Sequence, residues 1–477
     1  VNTPDQPFLS MDLANPTWWI YVALLVIAVY FRFSRFFSIR NLDLILLLSL
    51  SASLTAAVLY PRSELSEQIQ QQDAGNIADE SVPTGAGSEA RAESSSWDRR
   101  GLIRQWAPVA LMLSTVLLLA RLVLDERLTR RPRLDQNLTT GGIVFLCLPA
   151  FAILMSHVAL LPPPQHNHQA LRFGQALLDR QEVSVDPSKA GETLPAPTET
   201  LVAAGGNIVA GLARTETDWI ARGLVIAAHT LVVAGLVLMG HLHFASFQLG
   251  ISMACLYLLL PCTGVFVHQL SHVLPAACLI WAFVAYRHPL LSGILLGLAC
   301  GTLFFSVFLL PLWAVFYGRR GGIRFVSSVV AVAAVLVSSL LLISRDASSF
   351  MDKLITTANW TVFRLLEADS AASESEISQV IIRIVMGALF FVMMTALTVL
   401  PRPRNLENLL GNSTCLIVAA QLWYPEDIGH YVMWYLPLLL LVIFRPRLDR
   451  LIPPDLPIRH RNQQFSEVGQ TNTSNAV

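Results

Sequence analysis

The 477-residue chain is 54% hydrophobic and 14% charged, with a formal net charge of zero. One soluble core of this size does not hide so much apolar surface, so the composition excludes an ordinary soluble domain and identifies an integral membrane protein. Zero net charge leaves no electrostatic footprint for a nucleic-acid partner, and the basic residues matter only through where they sit.

A helix needs about 20 apolar residues to cross about 30 Å of hydrocarbon. Eleven stretches come near that length: residues 17–31, 42–60, 107–120, 141–161, 219–240, 249–262, 272–286, 325–344, 380–400, 408–422 and 431–444. Trp18, Trp19, Trp106, Trp423 and Trp434 fall near their ends, where amphipathic rings favour the headgroup level. No Lys or Arg precedes the first run, unlike a cleaved secretory signal, so that segment is expected to be retained. Cys147, Cys255, Cys262, Cys278, Cys300 and Cys415 all lie in or beside apolar stretches without zinc spacing, and read as small core residues.

Between the second and third runs, residues 61–106 carry eight acids from Glu64 to Asp98 and almost no large apolar residues, the composition of a disordered loop. Residues 162–218 open with LPPPQHNHQALRFGQALLDRQEVSV, in which Leu171, Phe173, Ala176, Leu177 and Leu178 give a short helix one apolar face. Such a helix lies on the membrane or caps the bundle. Residues 345–379 repeat the pattern with Phe350, Leu354, Trp360, Phe363 and Leu366.

The stretch HPLLSGILLGLACGTLFFSVFLLPLWAVFYGRR, residues 288–320, holds an apolar run of about 29 residues with Arg287 before it and Arg319 and Arg320 after it. That is long for one span and short for two. Basic flanks decide between them, because they stay in the cytoplasm. With the N-terminus outside and a re-entrant hairpin at 290–318, the inner connections carry 19 Arg or Lys in 84 residues and the outer ones 12 in 171. A single crossing would export ten arginines in the segments 319–324, 401–407 and 445–461. The expected architecture is therefore an all-α polytopic transmembrane helix bundle of about 11 full spans plus that hairpin. The C-terminus and a disordered tail at 447–477 lie in the cytoplasm, and the membrane is the plasma (inner) membrane.

The segment Thr217–Gly321, above all RHPLLSGILLGLACGTLFFSVFLLPLWAVFYGRR, resembles the middle of membrane glycosyltransferases of the C fold type, which take a sugar from a polyprenyl-phosphate donor. GHYVMWYLPLLLLVIFRPR (429–447) is similar to their last helix, and NHQALRFGQALLD (167–179) to part of their first large outward loop. The likeness covers roughly half the chain. It divides the chain into N-terminal membrane helices at 1–140, which match nothing in that family, and a glycosyltransferase-like bundle at 141–446. It implies a polyprenyl-phosphate sugar as partner, together with the bilayer; no cofactor follows firmly, and a divalent cation is the one such companion a phosphate donor invites.

In that family an Asp or Glu at the start of the outward loop deprotonates the acceptor hydroxyl. Here the place reads Gln165-His166-Asn167-His168, and the nearest acids are Asp179 and Glu182. His166 or His168 is a competent base near neutral pH, Asp179 a more distant one, and Glu426 and Asp427 in YPEDIGHY offer carboxylates at the mouth of the bundle. Cations for the donor phosphate are Arg172, Arg214 and Arg222, with Lys189 and Arg364 in the same loops. His268 and His272, four apart in FVHQLSH, would share one helix face, and His430 stands beside the acidic pair. Two other functions stay open. A non-catalytic scaffold explains the missing acid; a transporter does not explain spans whose inner ionisable groups are only His157 and His229.

Overall fold

The computed structural model describes residues 16–59, 89–125, 136–183, 194–302, 304–357, 374–400, 404–423, 431–446, 448 and 451–454. All secondary structure among them is helical. In chain order the helices are α1 (Pro16–Tyr30), α2 (Ile39–Leu59), α3 (Glu89–Val123), α4 (Thr140–Leu160), α5 (Gln165–Asp179), α6 (Pro197–Ala213), α7 (Thr217–Leu238) and α8 (Phe247–Leu259). They continue with α9 (Pro261–Val265), α10 (Leu270–Val284), α11 (Pro289–Cys300), α12 (Leu310–Leu342), α13 (Ala347–Thr357), α14 (Glu374–Val399), α15 (Leu406–Ala420) and α16 (Val432–Phe444).

Each of the eleven apolar stretches expected from sequence is a helix. Among the described residues, six helical segments are long and apolar enough to cross a membrane: Ile39–Leu59, Gln105–Val123, Thr140–Leu160, Thr217–His243, Phe305–Leu342 and Ile381–Val399. α3 starts at Glu89, inside the stretch expected to be a disordered loop. Its Glu, Ala and Arg residues favour helix and extend the apolar run by several turns on its N-terminal side. One continuous hydrophobic core runs from Val22 through Phe444 to Leu448, so the first three helices pack into the same body as the rest.

The turns at one end are tied by polar side chains. Asn41 closes the turn between α1 and α2, its amide donating to the carbonyls of Arg32, Arg35 and Phe36 while its oxygen accepts from the Arg32 N–H. Nearby, Arg121 on α3 bridges Asp43 on α2 and Asp125, and Arg445 joins Asp125 to Glu407 on α15. This chain of charges clamps four segments at the end where the sequence concentrates arginine.

The long run at 288–320 is broken. α11 ends at Gly301, a tight 3-10 stretch follows at Phe304–Leu309, and α12 bends at Gly318, whose φ of +66° is the left-handed region that a glycine enters without strain. Gly293 approaches Phe325 and Ser328, Gly297 approaches Val332, and Gly301 approaches Leu336. α11 therefore runs parallel to the second part of α12. Between them the chain returns, from Phe305 beside Tyr431 to Tyr317, whose hydroxyl donates to the Tyr286 carbonyl at 2.7 Å.

α5, α6 and α13 form a cap over the other end. Leu171, Phe173 and Ala176 are buried as the apolar face predicts, and Gly174 lets α5 touch the α6 backbone at Ala203 and Ala204. Leu178 points outward at 40% exposure. Phe350 and Leu354 of α13 pack on Phe173, Leu340 and Ile343, whereas Trp360, Phe363 and Leu366 lie outside the described residues.

Candidate functional site

Beneath this cap, polar groups from six elements meet. Pro162, Pro163 and Pro164 cannot continue α4, so the chain turns and enters α5 at Gln165, presenting His166, Asn167 and His168 in its first turn. α6 begins with Pro197 at its first position and Glu199 in its first turn, where the helix dipole favours a carboxylate. The α6 entry is pinned to the end of α11: the Thr198 N–H donates to the Gly301 carbonyl at 3.2 Å and its hydroxyl to the Leu298 carbonyl at 2.8 Å.

Glu199 is 2% exposed and lies 3.0 Å from the Nε2 of His166, whose side chain is 32% exposed. The hydrogen bond to Glu199 raises the His166 pKa above the ordinary histidine value, against a smaller opposing effect of burial. Carboxylate and ring thus form a dyad: the acid is hidden, and the imidazole lies between it and the surface.

One residue on, the Asn167 amide donates to the His268 carbonyl at 2.9 Å. The His268 Nε2 faces the His157 Nδ1 at 2.9 Å. Only one proton can lie between two ring nitrogens, and a second charge there is repelled. Burial, reinforced by the His157 ring, lowers the His268 pKa to about 4. Behind this pair, His229 bonds the Val267 carbonyl through Nε2 at 3.1 Å and the Tyr257 hydroxyl through Nδ1 at 3.1 Å. A carbonyl only accepts, so Nε2 carries the proton and Tyr257 donates to Nδ1. That ring is neutral and holds the turn bearing His268.

The other residues singled out in the sequence fall in several places. His168 lies 3.8 Å from Asp218 on the rim, with both side chains largely exposed. Arg222 reaches the edge of the cluster, its Nε donating to the Leu161 carbonyl at 3.2 Å and its guanidinium stacked on Trp219. Arg172 is exposed on α5. Asp179 accepts from Gln175 at the far end of α5, and Arg214 caps the far end of α6 in a left-handed conformation, so the structure brings neither to the dyad. His268 and His272 do not share a helix face. His268 lies in the turn before α10, which begins at Leu270, while His272 packs between Phe266 and Trp434. Glu426, Asp427 and His430 lie outside the described residues.

Sequence reasoning missed Glu199 and Asn167, and treated His157 and His229 only as isolated ionisable groups. Among the described residues no group of three or more His, Cys, Asp or Glu side chains is arranged to hold a metal ion.

An apolar cavity of about 180 Å³ opens next to the cluster, between α1, α4, α8 and α9. Trp18, Val22, Ile153, Leu258, Pro261 and Gly264 line it. Its wall residues Ile153 and Gly264 each stand four residues before one of the paired histidines, His157 and His268, which do not themselves line it.

Comparison with known protein families, with curated proteins and with solved structures finds no match for this chain.

Proposed function

We propose that the protein is a membrane glycosyltransferase that moves a sugar from a polyprenyl-phosphate donor to an acceptor on the outer side of the plasma membrane, with His166 as base and Glu199 as its orienting acid. The observation that carries this is the buried Glu199 carboxylate bonded to His166 after the proline turn, at the place where the glycosyltransferases this stretch resembles have an acid in an outward loop. Glu199 holds a proton on Nε2, which makes Nδ1 the basic atom of the neutral ring. The acceptor hydroxyl gives its proton to the ring, its oxygen attacks the anomeric carbon, and the carbon–oxygen bond to phosphate breaks. Polyprenyl phosphate leaves with the bonding electrons, and Arg222 and Arg172 supply positive charge on that side of the cap.

The apolar cavity beside His157 and His268 supports a lipid donor, since it has the chemistry of an isoprenoid chain next to a polar site. In this reading the bundle has eleven full spans, and the segment 290–318 dips in from the cytoplasmic side and returns. The reversal between Phe305 and Tyr317 and the arginine distribution support that topology, with the N-terminus outside and the C-terminus cytoplasmic.

The test uses the purified full chain in liposomes with a short-chain polyprenyl-phosphate hexose. Release of polyprenyl phosphate in the presence of a hydroxyl acceptor, lost in His166→Asn and strongly reduced in Glu199→Gln proteins that still bind the donor, is the expected result. Turnover that survives both substitutions removes the dyad from the chemistry. Donor binding without any turnover identifies a scaffold instead.

A further inference from the structure

The opposite end of the molecule holds a second enclosure, independent of the glycosyl-transfer site. A chamber of about 230 Å³ lies between the first part of α12, the end of α14 and the start of α15; one of about 190 Å³ adjoins it between the end of α3, α14, α15 and Arg445, and the two share Leu397, Asn408 and Asn412. Their lining divides by chemistry. Val315, Val399 and Leu400 are exposed apolar side chains at the mouth. Asn408 and Asn412 are four apart on one face of α15 and line one side of the interior together with Asn405, whose side-chain oxygen caps that helix by accepting from the Asn408 N–H at 2.9 Å.

The charges there are unbalanced. The deeper carboxylates Asp43, Asp125 and Glu407 pair with Arg121 and Arg445, and the buried Arg40 donates to the Tyr30 carbonyl. Arg404, at the wall of the larger chamber, has no carboxylate within ion-pair distance among the described residues. It lies against the α12 bend, with its Nη1 3.1 Å from where a side chain on Gly318 would begin. Arg319, Arg320 and Arg324 are exposed on the turns that follow the bend. A half-polar chamber, an uncompensated guanidinium and an apolar mouth together match one class of molecule.

We propose that this chamber binds an anionic phospholipid from the adjacent leaflet. Arg404 pairs with its phosphate, the asparagine amides meet phosphate and ester oxygens, and an acyl chain lies along Val315, Val399 and Leu400. The three following arginines favour an anionic headgroup over a zwitterionic one by attraction at the membrane surface. Nothing in this assignment requires the outer site to be catalytic.

The test is lipid titration of the delipidated full chain in a neutral detergent, followed by thermal unfolding and native mass spectrometry. Phosphatidylglycerol is expected to raise the unfolding midpoint and remain bound as a single retained molecule, while phosphatidylcholine and inorganic phosphate do neither. Arg404→Gln, an exposed substitution compatible with folding, should weaken phosphatidylglycerol binding about tenfold, the loss of one charge-assisted pair. Asn408→Leu should weaken it as well, whereas Arg91→Gln, far along the chain, should not. Equal effects of phosphatidylcholine and phosphatidylglycerol, or a wild-type response in Arg404→Gln, would overturn the proposal. A midpoint shift with inorganic phosphate as large as with phosphatidylglycerol would reduce the chamber to an anion site and overturn the assignment to lipid.

Discussion

Arg121 meets Asp43 with two parallel hydrogen bonds, Nε to Oδ1 at 2.7 Å and Nη2 to Oδ2 at 3.0 Å, across 78 residues of sequence. Asp43 is buried, and the same guanidinium also donates to Asp125 at 2.7 Å. Such fork geometry fixes orientation as well as distance, and removing one partner leaves a buried charge unmatched. Asp43→Ala is therefore expected to destabilise the protein by about 3–5 kcal/mol. Thermal unfolding in detergent checks this, with an unchanged midpoint as the contrary result.

Close packing along α11 gives a second expectation. A methyl group on Gly293 would lie 1.9 Å from the Ser328 hydroxyl and 2.6 Å from the Phe325 carbonyl, whereas one on Gly205 would meet nothing within 4 Å. Gly293→Ala should lose about 1–3 kcal/mol by overpacking. Gly205→Ala should be neutral or gain from its better helix propensity. Comparing the two unfolding midpoints separates contact from composition, because both changes are the same chemically.

The His166–Glu199 bond predicts the shape of the pH–rate curve. A base must be neutral to work, and Glu199 raises the His166 pKa, so activity should rise only above the ordinary histidine value of about 6.5. Glu199→Gln removes the main cause of that shift. Whatever activity the variant retains should climb at lower pH than in the wild type, a displacement readable in kcat against pH; a limb that stays in place contradicts the dyad.

His268 and His166 act on stability with opposite signs. The folded pKa of His268 is about 4, below its unfolded value of about 6.5, so its contribution is complete above pH 6.5 and is lost as pH falls toward 4. For His166 the folded value is raised; its contribution is complete below about 6.5 and is lost as pH rises through the folded pKa. Unfolding midpoints between pH 6.5 and 4.5 should consequently fall less in His268→Asn than in the wild type. A parallel fall in both proteins would remove His268 as the cause.

Helix positions were readable because an apolar run near membrane length has few alternatives, and the break at 290–318 was signalled by a run too long for one span and too short for two. The site was less legible. Glu199 sits in LPAPTETL, where no periodicity marks it, and it gains its meaning only from a ring 33 residues earlier that the proline turn brings back. His157 and His268 are 111 residues apart and pair because α4 and the α9–α10 turn end at the same level. The charge chain at the far end was invisible for the same reason: Asp43, Asp125, Glu407 and Arg445 each look like an ordinary flank until tertiary packing joins them. The spacing of His268 and His272 misled because Gln269, in an extended conformation, starts a new helix between them.

The parallel pairing of α11 with the later part of α12 also bears on how the chain is made. α11 has only 12 residues, and its Gly293 and Gly297 meet only residues 325 to 332, which are synthesised after it, while Gly301 at its end meets both Leu336 and the earlier Thr198. Until those residues emerge, α11 is held at its end by Thr198, and the Gly293 and Gly297 part of its face lacks the surface it packs on in the finished fold. The short helix must therefore be held in a provisional setting during synthesis and settle only when the helix after the bend has entered, which makes this stretch a single unit of assembly.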